Sequence, residues 1–261
     1  VASNAQVRMQ GFIDSVNSIK NYLNQETKRG FNGAEDGSLV GDVGAEIILT
    51  ELQNITTDPI KGFADSDYYL ANLGVFTERD GSLSLDTTRF DTAIAADPDL
   101  LNLVFASKYS TNSDKLSVTG LSSYPPTAGS YSFAFTQSSG AGVLNSESLT
   151  AVNNIAGNKV FTGTSGSAAN MSIEILNDSA DISGTVRYGK SLIDSLQSYI
   201  TDITSSSGVI KNRTSELTLQ LSDYREQQVD LDARIESLTA TYNEKFGAME
   251  SLVTQLNKTG E

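Results

Sequence analysis

The sequence contains no cysteine, histidine or tryptophan, and only four prolines and three methionines among its 261 residues. Without cysteine and histidine it lacks thiol nucleophiles, imidazole bases and the usual zinc ligands, so most enzyme mechanisms lose their commonest groups. We therefore expect no enzymatic activity, no cofactor and no metal site. The absence of cysteine also suits a protein that leaves the cell without forming disulfides.

Long apolar runs and basic residues are also missing. No apolar run approaches the ~18 residues that read as a membrane-spanning helix, and no signal-peptide pattern opens the sequence. The 18 lysines and arginines are outnumbered by 32 aspartates and glutamates, which gives a net charge of −14. This acidity argues against nucleic acid and anionic membranes as partners, because both would repel the chain.

The segment 209–258 carries the pattern of one long helix. Its apolar side chains recur at alternating intervals of four and three, so they line one face. Each leucine or isoleucine left in water would forfeit about 1.5–3 kcal/mol, so this apolar stripe predicts partner helices from the same chain or from neighbouring copies. The stripe consists of Leu217, Leu221, Tyr224, Leu231, Ile235, Leu238, Tyr242, Met249, Leu252 and Leu256.

Two polar residues, Gln228 and Lys245, interrupt the stripe. Polar residues at such positions can set the register of a coiled coil, or they can face water where the bundle ends; both interpretations stay open. Towards the end of the helix the apolar face becomes broader than a two-helix seam needs. We take this broad end as the candidate contact surface for another subunit or a partner protein: Phe246, Met249, Leu252, Val253 and Leu256.

The first hundred residues read as short helices around a hairpin. Helical spacing starts at Met9 and stops near Arg29–Gly30, and Asp42 is placed to cap a second helix, Val43 to about Ile55. A hairpin is expected near 74–86, with Asp80–Gly81 in a type I′ turn. Further along, Asp86 and Asp97 are placed to cap two more helices.

Residues 108–188 have a different character, because serine, threonine, glycine and asparagine dominate and helical spacing disappears. Short runs of β-forming residues alternate with turn residues, which predicts a small β domain. Helical spacing returns at Leu192 to Ile203, and Ser205–Gly208 reads as a tight turn. The predicted strands are Lys115–Thr119, Ser130–Thr136, Val160–Thr162, Met171–Ile175 and Thr185–Tyr188.

Together these segments predict an α+β fold, with an antiparallel helical bundle or coiled coil, a small hairpin and an inserted all-β domain. Residues 1–107 would form the first part of the helical domain. Residues 108–188 would be the insertion, and 189–261 a helical hairpin that completes the helical domain with the long helix. We expect deletion of residues 108–188 to leave the helical part folded.

Two polar motifs invite a chemical interpretation. Asp65–Ser66–Asp67 and the run DGSLSLD (80–86) place carboxylates at alternate positions, as calcium loops do, but they lack the remaining ligands. Turn and capping roles are therefore favoured. Ser205–Gly208 lacks the strand-to-helix glycine-rich context of a phosphate loop.

Four stretches resemble the C-terminal part of bacterial flagellar filament cap proteins, the FliD or hook-associated cap family. They are FIDSVNSIKNYL (12–23), GSLVGD (37–42), the block LGVFTERDGSLSLDTTRFDTAIAADPDLLNLVF (73–105) and the tail from Gly208 to Asn257, which ends in YNEKFGAMESLVTQLN. The third and fourth are the specific ones. Residues 108–188 match nothing in that pattern and read as a lineage-specific insertion.

This resemblance implies a structural cap at the distal tip of the flagellar filament. Such caps form rings of several copies, have a helical coiled-coil leg and β-rich heads, promote flagellin polymerisation and prevent flagellin leakage. The implied partners are other copies of the chain, flagellin and hook-filament junction proteins, and the implied route is export through the flagellar type III apparatus. Both ends lie inside the family pattern, so we expect the native protein to extend beyond Val1 and Glu261.

Two other functions fit the same elements. A secreted adhesin would use the helices as a coiled-coil stalk and the β domain for cell adhesion, and a phage tail or filament protein would also combine long helices with β insertions. Within the cap interpretation, residues 108–188 either enlarge the head or bind host or environmental material. Their low charge and serine and threonine content fit both.

Overall fold

The computed structural model describes residues 2–259, which form six α-helices and eleven β-strands. Val1, Gly260 and Glu261, at the predicted points of extension, lie outside the described residues. The chain divides into two compact units, residues 1–201 and 202–261. The mixture of helices and antiparallel sheets confirms the predicted α+β class.

The helices start where local capping predicts. The Asp42 carboxylate accepts a hydrogen bond from the Ala45 amide at 3.0 Å, and Asp86 caps the third helix in the same way through Arg89. Asp97 caps a short 3-10 turn that leads into the fourth helix. The three predicted caps are confirmed. The helices are α1 (Ala2–Thr27), α2 (Val43–Thr57), α3 (Thr87–Ala96), α4 (Asn102–Phe105) and α5 (Leu192–Thr204).

The expected hairpin is present as β1 (Val75–Thr77) and β2 (Leu83–Leu85), but its predicted type I′ turn is wrong. A type I′ turn needs positive φ at both central residues, and only Gly81, at φ 82°, has it. The Gly81 amide donates to Glu78 O, and the Glu78 amide donates to Ser82 O. The loop is therefore the three-residue kind that ends in a glycine bulge.

Helix α1 holds this hairpin in place. The side-chain amide of Asn17 bonds both the carbonyl and the amide of Leu83, at 2.8 and 2.7 Å. One turn later the buried Lys20 ammonium donates to Gly81 O. Burial lowers the pKa of Lys20, and the nearby Asp80 charge opposes that shift. The hairpin and α1 thus belong to one core, together with Leu73, Phe90 and Val104.

The remaining strands build two antiparallel sheets. The strands are β3 (Lys108–Thr111), β4 (Leu116–Gly120), β5 (Gly129–Thr136), β6 (Ala141–Leu144), β7 (Glu147–Leu149), β8 (Val152–Asn153), β9 (Lys159–Thr162), β10 (Met171–Ile175) and β11 (Ile182–Gly189). One sheet has the order β4-β10-β9-β8 and the other the order β3-β11-β5-β6-β7. All five predicted strands are present, as β4, β5, β9, β10 and β11.

These two sheets share a core centred on Phe161. Its ring lies 5.7 Å from that of Phe133 and 5.9 Å from that of Phe135, both on the opposite sheet. A Cβ at Gly142 would come within 2.6–3.0 Å of the Phe161 ring, so only glycine leaves room for it there. The alternating pattern of β5, with every second residue buried, follows from this packing.

The described residues thus form two separate hydrophobic cores within the first unit. The first core takes its side chains from residues 5–105 together with Leu192 and Leu196, and the second takes its side chains from residues 109–188. We call the elements around the first core the helical body and strands β3–β11 the β body. The domain boundaries near 107 and 188 remain a prediction, which the deletion of residues 108–188 would test.

The chain enters and leaves the β body side by side. The Ser191 amide donates to Ser107 Oγ at 2.9 Å, and both hydroxyls donate to the Asp194 carboxylate at the start of α5. Burial raises the pKa of Asp194, but these two hydrogen bonds outweigh it and the net shift is downward. Asp194 therefore links the two chain segments, at Ser107 and at Ser191, through which the chain enters and leaves the β body.

The second unit consists mainly of α6 (Val209–Thr259), a single helix of 51 residues. At about 1.5 Å per residue it is roughly 75 Å long. The predicted turn precedes it: the Gly208 amide donates to Ser205 O at 3.0 Å, and the Asn212 side chain donates to Ser207 O at 3.0 Å. The long helix and its leading turn are therefore confirmed.

Candidate assembly surface

The five candidate contact residues share one side at the end of α6. At about 100° per residue, the positions from Phe246 to Leu256 fall within an arc of roughly 120°. Their side chains are all exposed, with fractions between 51 and 69%. The structure therefore presents the predicted residues together as one accessible apolar surface, which we call the terminal patch: Phe246, Met249, Leu252, Val253 and Leu256.

The whole apolar stripe is exposed to a similar degree. Each of its ten residues is between 43 and 69% exposed. Soluble proteins seldom leave a contiguous apolar surface of this extent in water unless it is an interaction site. The physical reason is the same as for a hydrophobic core, since apolar area in contact with water costs free energy until a partner covers it.

Charge is distributed unevenly along α6. Seven charged side chains occur between Asp223 and Glu236, whereas Glu250 is the single charged residue between Phe246 and Asn257. In a chain with a net charge of −14, two copies repel each other, and that repulsion is weakest where the charge density is lowest. The terminal patch is thus better suited than residues 223–236 to close contact with an acidic partner or a second copy.

Apart from Ile210, which continues the stripe seven positions before Leu217, two large exposed apolar residues of α6 lie outside the stripe and were not predicted. Leu219 and Val229 are each 67% exposed. Leu219 follows the stripe residue Leu217 by two positions, so it projects from nearly the opposite side of the helix. A helical-wheel projection of every apolar residue in 209–258, rather than of one stripe, would have identified both. The first half of α6 therefore offers apolar side chains to more than one neighbouring helix.

Asp80 and Asp86 have the turn and capping roles that the sequence favours, whereas Asp65 takes part in an ion pair that was not predicted. Asp86 caps α3, and the Asp65 carboxylate forms an ion pair with Arg187. Asp80 accepts hydrogen bonds from Ser82, and the side-chain bond is the main cause of its lowered pKa. Within residues 2–259 no group of three or more acidic side chains is arranged to hold a metal ion. No described helix is long and apolar enough to cross a membrane.

The model of one protein family, described as the flagellar hook-associated protein 2 C-terminus, matches residues 2–258. The chain belongs to this family. The match confirms the resemblance, and it also runs through residues 108–188, which the four resembling stretches left out. Neither a curated protein nor a solved structure matches the chain. Membership makes the chain a structural protein of the bacterial flagellum.

Proposed function

We propose that the chain is part of the cap at the distal tip of the flagellar filament. In this role several copies assemble into a ring, promote the polymerisation of flagellin and prevent flagellin from leaking into the medium. The protein reaches the tip through the flagellar type III apparatus. It acts as a scaffold for assembly and not as an enzyme.

The observation that carries this proposal is the uncovered apolar stripe of α6. A helix of 51 residues with ten exposed stripe residues needs other helices to pack against, since helices in proteins take most of their stability from tertiary contacts. We assign the stripe to contacts within the assembled cap. We assign the terminal patch to another subunit or to flagellin, because its low charge permits close approach.

The β body supports the proposal in a second way. It has its own aromatic core and is attached to the helical body, so it can enlarge the head of each subunit without disturbing the helical elements. Hook-filament junction proteins are a further class of partner in this proposal.

The proposal is tested by deleting the gene that encodes the protein. We expect short or absent filaments under the electron microscope and monomeric flagellin in the culture medium. Normal filaments and normal motility would overturn the cap function. The β body would then be screened for ligands, because adhesion is the alternative that this result would favour.

A further inference from the structure

A short loop of the helical body crosses onto the β body. Ile60 and Tyr68 form an isolated antiparallel bridge, in which the Ile60 amide donates to Tyr68 O at 2.7 Å. The Ile60 side chain is buried in the helical core. The bridge closes residues 61–67 into a loop with both ends anchored in the helical body. The first five residues of this loop, 61–65, form the segment that reaches β5 and β11.

Gly62 makes the closest approach. Tyr188 on β11 pairs with Gly129 on β5, and Gly62 is pressed against this pair. A Cβ at Gly62 would overlap the Tyr188 carbonyl and lie 2.7 Å from the Gly129 amide nitrogen. The φ of Gly62 is +83°, in the left-handed region that favours glycine. Both the conformation and the available space therefore require glycine at this position.

The next two residues add apolar and polar contacts. Phe63 packs against the helical core, and its ring also covers Gly189 at the end of β11, where a Cβ would come within 2.5–2.7 Å of the ring atoms. The Ser130 hydroxyl on β5 donates to Ala64 O at 3.4 Å. Phe63 thus belongs to one core while it lies on a strand of the other body.

The last residue of the segment 61–65, Asp65, forms an ion pair in which the two partners differ in burial. The Arg187 side chain on β11 is 7% exposed, and that of its partner Asp65 is 86% exposed. Arg187 Nε is buried and has no hydrogen-bond partner within the described chain. A buried guanidinium that loses its carboxylate becomes a buried unpaired charge, which is strongly unfavourable. Arg187 therefore favours the position of the loop in which Asp65 covers it.

We propose that residues 61–65 are a strap that fixes the orientation of the β body against the helical body, with the Asp65–Arg187 pair as its lock. Two bodies joined only by the chain crossings near Ser107 and Ser191 could rotate about them, and relative motion is the default for small interfaces. The strap adds a third point of attachment, on the face of β5 and β11. The inference concerns these two bodies alone and holds whether or not the chain caps a filament.

The strap is tested by measuring the distance between the two bodies with paired spin labels. The chain has no cysteine, so Gln53→Cys on α2 and Ser148→Cys on β7 provide the only two labelling sites. Both residues are exposed. We compare Asp65→Ala with Asp67→Ala, a matched control in the same loop that removes the same charge from another exposed carboxylate. We also compare Gly62→Ala with Gly157→Ala, whose φ of +85° is similar but whose Cβ meets nothing within 4 Å.

We expect one narrow distance distribution for the parent and for both controls. Asp65→Ala and Gly62→Ala should lose that single narrow peak and give a broad or shifted distribution, with circular dichroism unchanged. Distributions for both strap variants that match their controls would overturn the proposal. If Gly62→Ala fails to fold, Asp65→Ala decides the question alone, because that side chain is exposed and contributes to neither core.

Discussion

Replacing Val253 with aspartate should weaken self-association through the terminal patch. Val253 is 51% exposed, which corresponds to about 75 Å² of apolar surface available for burial, or about 2 kcal/mol at 25 cal/mol per Å². Losing 2 kcal/mol makes association roughly 30-fold weaker, and the cost of desolvating the new carboxylate adds to that loss. Valine and aspartate have similar helix propensities, so α6 itself should stay helical.

The matched control is Ser251→Asp. Ser251 is exposed two positions earlier, and at about 100° per residue it lies on the side of α6 opposite the patch. Both variants therefore add one negative charge to the same turn of the helix. Sedimentation velocity over a concentration series would measure association, and circular dichroism would measure helicity. Equal association of the two variants would refute a role of the patch in self-association, and loss of helicity in Val253→Asp alone would refute the expectation that the patch acts without supporting the helix.

Three further predictions concern the first unit. Phe161→Ala should destabilise the β body by about 3–5 kcal/mol, because it leaves a cavity at the centre of that core. Chemical denaturation monitored by tyrosine fluorescence would measure the loss, and a loss below about 1 kcal/mol would contradict the central position of Phe161. Asn17→Ala should cost about 1–3 kcal/mol by leaving the Leu83 amide and carbonyl without their partner, while Asn54→Ala, an exposed control on α2, should cost little. Because the pKa of Asp194 is lowered in the folded protein, its carboxylate contributes stability that is present above the ordinary pKa of 3.8 and is lost as the pH falls through the folded value. Asp194→Asn should therefore flatten the acid limb of a curve of unfolding free energy against pH. An unchanged acid limb would contradict this role.

Local features of this fold were predictable from the sequence because their causes are local. Asp42, Asp86 and Asp97 each cap the helix that follows within three residues, and the spacing of the α6 stripe needs no knowledge of its partners. The hairpin was predicted but its turn type was not, because the register that pairs Glu78 with Ser82 decides between the two loop types.

The features that escaped prediction depend on residues far apart in the chain. Strand β6 (Ala141–Leu144) contains alanine and glycine and becomes a strand because it pairs with β5 and makes room for Phe161. Arg187 and Asp65 are 122 positions apart, and no periodicity or motif connects them. The five residues of the terminal patch were brought together as expected, and their role in assembly remains a prediction.

The most direct test of the assembly role is complementation of the gene deletion with the gene carrying Val253→Asp or Ser251→Asp, followed by measurement of filament length and of flagellin in the medium. The proposed role of the terminal patch predicts short filaments and released monomeric flagellin for Val253→Asp at normal levels of the exported protein. It predicts restored filaments for Ser251→Asp. Full restoration of filaments by both variants would contradict the role of this surface in the cap.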